Sequence, residues 1–162
     1  MSDFDPPSTE TGSCLCKAVN YTLNGVRLTR VICACDNCQR MSGSVFSSIR
    51  HYKDATLTLD SGADVIKKYE DSNTKSGNTT ERWFCGNCGS QLYGYSPTFK
   101  LYILRAGCMN NEEEKVAKPM AASFAERVPT WIEKLGVMAD YPAVVAYFMS
   151  LAKSPKLHGQ SE

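Results

Sequence analysis

Cys85-Gly86-Asn87-Cys88-Gly89 sets two thiols on either side of a tight turn, with glycine where the backbone must bend hard. Such a knuckle is a chelating geometry, but two sulfurs cannot fill a tetrahedron, so it needs a second pair from elsewhere. Cys14-Leu15-Cys16 is the natural complement. Residues i and i+2 of a strand point to one face, so both sulfurs can reach one Zn²⁺ at about 2.3 Å. Cys14, Cys16, Cys85 and Cys88 would then make a closed structural site tying the start of the domain to its middle. Structural zinc contributes on the order of 10–16 kcal/mol in small domains, more than the net stability of many whole domains, at about 5–15 kcal/mol.

A third group, Cys33-Ala34-Cys35-Asp36-Asn37-Cys38, stands alone with three thiols. Structural zinc sites use four protein ligands, whereas catalytic sites use three and keep one position for water or substrate. Cys33, Cys35 and Cys38 therefore read as an open, catalytic metal site able to take one more thiolate or a carbonyl oxygen. The alternative is that Cys108 closes this site as a fourth ligand. Cys108 lies at the end of a mostly apolar run, residues 101–110, which reads as a buried strand in which a lone cysteine is more often a small hydrophobe.

The rest of the chain bounds these readings. It has 162 residues, enough for one domain with a substantial core. Eight cysteines could instead form four disulfides. The N-terminal MSDFDPPSTE is acidic and lacks an apolar stretch, so no export signal is expected, and a reducing compartment follows: the cytoplasm, with the nucleus as an alternative. Close cysteine pairs are also better chelators than disulfide partners. Lys and Arg total 18 and Asp and Glu 17, a formal charge of +1. That balance speaks against nucleic-acid binding and against a basic membrane anchor. No apolar run reaches the roughly 18 residues of a spanning helix.

Short strands separated by turn signals predict a mainly β fold with an antiparallel core. Strands are expected at residues 14–23, 27–32, 45–49, 55–59, 65–69, 81–84, 91–95 and 100–104. Asn24-Gly25 and Asp60-Ser61-Gly62 read as turns, residues 71–79 as a polar loop, and residues 39–42 as one helical turn. Glu112-Glu113-Glu114 reads as a solvated face. Val144, Phe148 and Leu151 fall at helical spacing and predict a short C-terminal helix over 143–152. Residues 1–11 read as a flexible leader, 12–152 as a single zinc domain, and 153–162 as a loose tail.

Three signatures in order carry a resemblance: residues 12–21 around Cys14 and Cys16, residues 33–44 beginning Cys33-Ala34-Cys35-Asp36-Asn37-Cys38-Gln39-Arg40, and residues 82–92 around Cys85 and Cys88. Together with Gly62, Tyr69, Gly107, Asn110 and Trp131, they make the chain similar to the glutathione-dependent formaldehyde-activating enzyme family over roughly residues 12–132. The resemblance implies a zinc-bearing β-tent. It implies one structural zinc on Cys14, Cys16, Cys85 and Cys88, and a second zinc on Cys33, Cys35 and Cys38. It also implies carbon–sulfur lyase or synthase chemistry joining the glutathione thiol to formaldehyde as S-(hydroxymethyl)glutathione. Two positions depart from the pattern: Ala34, often histidine in the family, and Cys108-Met109-Asn110.

On this reading glutathione, or a similar small thiol, is the partner, and Cys33 is the candidate for a labile ligand. Arg40 could hold a glutathione carboxylate through a bidentate contact, or pair at the surface. Gln39 and Ser42 either donate to a bound sulfur or cap the turn. His51 and His158, the only histidines, read as structural or exposed and as part of the tail, respectively. The competing readings are a non-catalytic zinc module that binds a protein partner, and a lyase for another thiol adduct.

Overall fold

The computed structural model describes residues 6–133. Along it run β1 (Ser8–Ser13), β2 (Asn20–Cys33), α1 (Asp36–Ser42), β3 (Ser47–Ser61), β4 (Ile66–Asp71), β5 (Thr80–Cys85), β6 (Gln91–Ser96), β7 (Leu101–Arg105), α2 (Glu112–Val116), β8 (Ala121–Ser123) and α3 (Thr130–Glu133). The strands form one sheet in the order β1-β2-β3-β7-β6-β5-β4, antiparallel throughout, and β8 joins the far end of β2 in parallel. The mainly β, antiparallel architecture expected from the turn-separated strands is the one observed. Among the described residues no helix is long and apolar enough to cross a membrane.

One core lies under the turns that carry Cys14 and Cys85, where Val19, Tyr21, Leu23, Tyr52, Leu92 and Leu104 are fully buried. At the other end of β2 the alternation of a strand splits the chain between two smaller cores. Val31 and Cys33 pack with Ile49 and Ala121, whereas Ile32 and Ala34 pack with Ala122, Val128 and Ile132. Both faces of this strand end are covered, so Cys33 leaves the sheet from a rigid support.

Several expectations need correction. Residues 8–11 belong to β1 and not to a leader; Ser8 pairs with Gly25, and Glu10 is buried beneath Asn111, whose Nδ2 donates to its carboxylate at 3.3 Å. Cys14 and Cys16 lie in the turn after β1 and not in a strand, because Lys17 N–H closes a turn onto the Cys14 carbonyl at 3.1 Å. Asn24-Gly25 is a bulge within β2. The partner strand passes so close that a Cβ on Gly25 would sit 2.5 Å from the Ala55 Cβ. The expected strands at 45–49 and 55–59 are one long β3, which begins at Ser47 and carries Asp54 at φ 47°. The apolar run ends its strand at Arg105, which leaves Cys108 in a single 3-10 turn, Ala106–Cys108. The expected helix over 143–152, the tail with His158, and residues 1–5 lie outside the described residues.

Glu114 is the clearest departure. It is buried, not solvated, because Asn111 caps α2 and its Oδ1 accepts from the Glu113 and Glu114 N–H groups, turning Glu114 toward the sheet. There it pairs with Arg27 and Arg30 of β2 and lies 3.5 Å from Arg50 Nε of β3.

Candidate metal centres and active site

All eight cysteines are free thiols, so the alternative of a disulfide framework is not the one observed. Seven of them gather in two groups, Cys14/Cys16/Cys85/Cys88 and Cys33/Cys35/Cys38. Within each group every sulfur lies within 4.8 Å of the others. Cys14 and Cys16 sulfurs are 3.5 Å apart, and Cys16 and Cys85 sulfurs 3.8 Å apart. Four sulfurs around one ion at about 2.3 Å would be separated by roughly 3.8 Å in a tetrahedron. The donor set and spacing therefore fit a zinc ion, and both groups could hold a metal.

The four-thiol group joins the β1–β2 turn to the β5–β6 turn. Val19 N–H donates to Cys14 Sγ at 3.3 Å, and Ser90 Oγ lies 3.3 Å from Cys88 Sγ. The Ser90 hydroxyl pulls the Cys88 thiol down to about 5, toward the thiolate that a metal requires. Ser90 Oγ also accepts the Leu15 N–H at 3.0 Å, so one hydroxyl braces both turns.

The three-thiol group is built from three kinds of local structure. Cys33 ends β2, Cys35 is the N-cap of α1, and Cys38 lies in its first turn. The helix is longer than the single turn expected over 39–42, and it begins early enough to contain Cys38. Cys38 N–H donates to Cys35 Sγ at 3.4 Å, and Gly43 closes the helix in the left-handed region at φ 59°. Hydrogen bonds from Cys33 and Cys35 draw the Cys38 thiol well below the usual thiol range, with Arg105 and Arg82 adding to the pull; the same contacts push Cys33 well above it. The trio thus favours a sulfur anion even before a metal is considered.

These sulfurs open into a cavity of about 240 Å³. Ile49, Phe99, Ile103 and Phe124 form its apolar wall, and His51, Arg82 and Arg105 its polar one. A larger, more open cavity of about 790 Å³ adjoins it, sharing Asn37, Thr74, Lys75 and Arg82. Thr74 and Lys75 belong to the loop between β4 and β5. Asn37 Nδ2 holds that loop, donating to Asp71 Oδ2 at 2.7 Å and to the Asn73 carbonyl at 3.0 Å.

The site residues expected from sequence fall as follows. Arg40 is exposed and lines the larger cavity, away from the three sulfurs. Gln39 and Ser42 serve the backbone: Gln39 Nε2 donates to the Val45 carbonyl and Ser42 Oγ to the Cys38 carbonyl. Cys108 stands apart from the trio, its thiol donating to the Gln91 carbonyl at 3.3 Å. Ala34 is fully buried, with its N–H on the Ser123 carbonyl. Sequence reasoning missed Arg82 and Arg105, because a charged residue in a strand reads as exposed. Their signal was position: in β5 and β7, which both pair with β6, they fall on the same face as Ile103, Ile49 and His51. His51 is buried, its Nδ1 2.6 Å from Thr29 Oγ1, and burial holds it down to about 4, with Arg105 adding to the effect.

The sequence pattern of the family described as "glutathione-dependent formaldehyde-activating enzyme" matches residues 9–127. A Sordaria macrospora protein provisionally named a glutathione-dependent formaldehyde-activating enzyme is 28% identical over 89 residues, 55% of this chain. The chain spans about a third, 33%, of that relative's length. The crystal structure of a Rhodobacter sphaeroides protein superposes with a TM-score of 0.48 at 19% identity, over 62% of this chain and 88% of that one.

Proposed function

The chain belongs to the glutathione-dependent formaldehyde-activating enzyme family, and on that footing we propose that it joins the thiol of glutathione, or a similar small thiol, to formaldehyde at the Cys33/Cys35/Cys38 centre. The product is S-(hydroxymethyl)glutathione, and the reverse reaction makes the protein a carbon–sulfur lyase. The observation that carries this reading is a cluster of three free thiols, one short of a closed site, facing a cavity that a small molecule can enter. Cys14, Cys16, Cys85 and Cys88 would hold a structural zinc. Bound by Cys33, Cys35 and Cys38, a second zinc would supply Lewis acidity and favour the deprotonated form of an incoming thiol.

In the forward reaction the S–H bond breaks, the C–S bond forms, and the proton ends on the former carbonyl oxygen. The chain's own residues suit that charge flow. Arg82 and Arg105 place cationic donors at the cavity wall, where they favour a thiolate and then an alkoxide. Ile49, Phe99 and Phe124 exclude water from the reacting atoms. Arg40 and Lys75, on the rim of the larger cavity, are placed to hold the carboxylates of the tripeptide. Free thiols throughout suit a reducing compartment such as the cytoplasm.

The test is a glutathione titration of protein carrying cobalt at the three-thiol centre. The absorption of that centre should change at millimolar thiol, and formation of S-(hydroxymethyl)glutathione should accelerate over the uncatalysed rate. No spectral change would leave the alternative reading, a non-catalytic zinc module that binds a protein partner. A second catalytic reading, a lyase for another thiol adduct, is favoured by cavity size. About 240 Å³ is the share of roughly eight water molecules, far more than formaldehyde fills. Faster turnover of a bulkier aldehyde adduct than of formaldehyde would select it.

A further inference from the structure

Three arginines are buried in the described residues: Arg50, Arg82 and Arg105. Two of them face a carboxylate. Arg50 Nε lies 3.5 Å from Glu114, and Arg82 Nη2 2.6 Å from Asp71 Oδ2. Arg105 pairs with no carboxylate among the described residues. Its Nη1 donates to Ser47 Oγ at 3.0 Å, its Nη2 to Met41 Sδ at 3.3 Å, and its buried Nε has no acceptor. A guanidinium stays protonated in proteins, and a buried charge without a partner is costly enough that one is expected nearby.

Arg105 lines the same cavity as Cys33, Cys35 and Cys38. The sheet fixes this arrangement. Arg105 sits opposite Ile49 on β3, and Ser47, two residues along, sits opposite Cys33 on β2. The Arg105–Ser47 hydrogen bond therefore spans to the strand partner of a proposed ligand. Three thiolates and one divalent ion carry a net charge of −1, which a single guanidinium cancels.

We propose that Arg105 is the counter-ion of the Cys33/Cys35/Cys38 centre, a positioning residue whose charge holds three thiolates together on one metal. The inference rests on reading the trio as a metal centre. Arg82 lines the same cavity, but it faces Asp71 at 2.6 Å, whereas Arg105 has no carboxylate opposite it among the described residues.

The test is metal competition with a chromogenic chelator on the full chain loaded with zinc. Wild type should hold two ions per chain, and Arg105→Met should release the central one at a chelator concentration lower by about 10- to 100-fold. The four-thiol site should keep its ion in the same sample, which reports that the fold is intact. Arg105→Lys should recover most of the lost affinity. In cobalt-loaded protein, Arg105→Met should also shift the sulfur-to-metal charge-transfer band of the trio. Unchanged central affinity in Arg105→Met overturns the proposal, and so does equal loss in a folded Arg105→Lys. If Arg105→Met does not fold, Arg105→Lys decides alone, by retention or loss of the central ion. A wild type that binds a single ion would instead refute the metal reading of the trio.

Discussion

His51 shows how one buried side chain links the site to stability. Burial holds it down to about 4, while in the unfolded chain it returns to about 6.5. The unfolded state thus binds more protons between these values, so His51 favours folding above about pH 6.5 and that contribution is lost as the pH falls toward 4. At 1.36 kcal/mol per unit the full effect approaches about 3 kcal/mol. His51→Gln should flatten the difference in denaturant midpoint between pH 7 and pH 4.5 relative to wild type. Gly62 shows a steric constraint of the same size. Its φ is +83°, and a Cβ there would lie 2.6 Å from the Ala18 carbonyl oxygen, beside the first cysteine turn. Gly62→Ala should destabilise by about 1–3 kcal/mol, read as a lowered melting temperature. The seven clustered sulfurs were legible from spacing alone, because chelation constrains close neighbours in sequence. Arg82, Arg105 and His51 were not, because their meeting with the sulfurs depends on which strands lie side by side.

The elements teach a related lesson. Residues 65–69, 81–84, 91–95 and 100–104 predicted strands that exist nearly as expected, since each alternates or runs apolar between clear turn residues. The Asn24-Gly25 turn signal failed because the glycine there serves a close strand approach and not a reversal. The three glutamates failed for a different reason. A charge run reads as solvated until three arginines on neighbouring strands provide a buried partner for one of its members, and Arg27, Arg30 and Arg50 do so for Glu114. Glu114→Ala would leave the fully buried Arg50 without its carboxylate. It should cost about 3–5 kcal/mol in urea denaturation, while Glu112→Ala, on the exposed side of α2, should change little.

At the scale of the molecule, the two sulfur groups sit at opposite ends of β2. Cys14 and Cys16 precede β2, whereas Cys85 ends β5 and Cys88 lies in the turn to β6, three strands away in the sheet order. A metal there ties two parts of the sheet that no strand pairing joins. Cys85→Ser should therefore abolish cooperative unfolding, as measured by circular dichroism. Cys33→Ser should retain the sheet and lose turnover and one metal equivalent. If both variants unfold alike, the trio is structural. Among the described residues the sheet also does not close on itself, and β4 lies at one of its borders. Lys67, Lys68 and Glu70 stand exposed along that border. An open row of backbone donors and acceptors invites pairing with another copy, and charged side chains along it make that pairing unfavourable. Replacing these three with valine would therefore be felt first as self-association and fibril growth, long before any change at the sulfur centres.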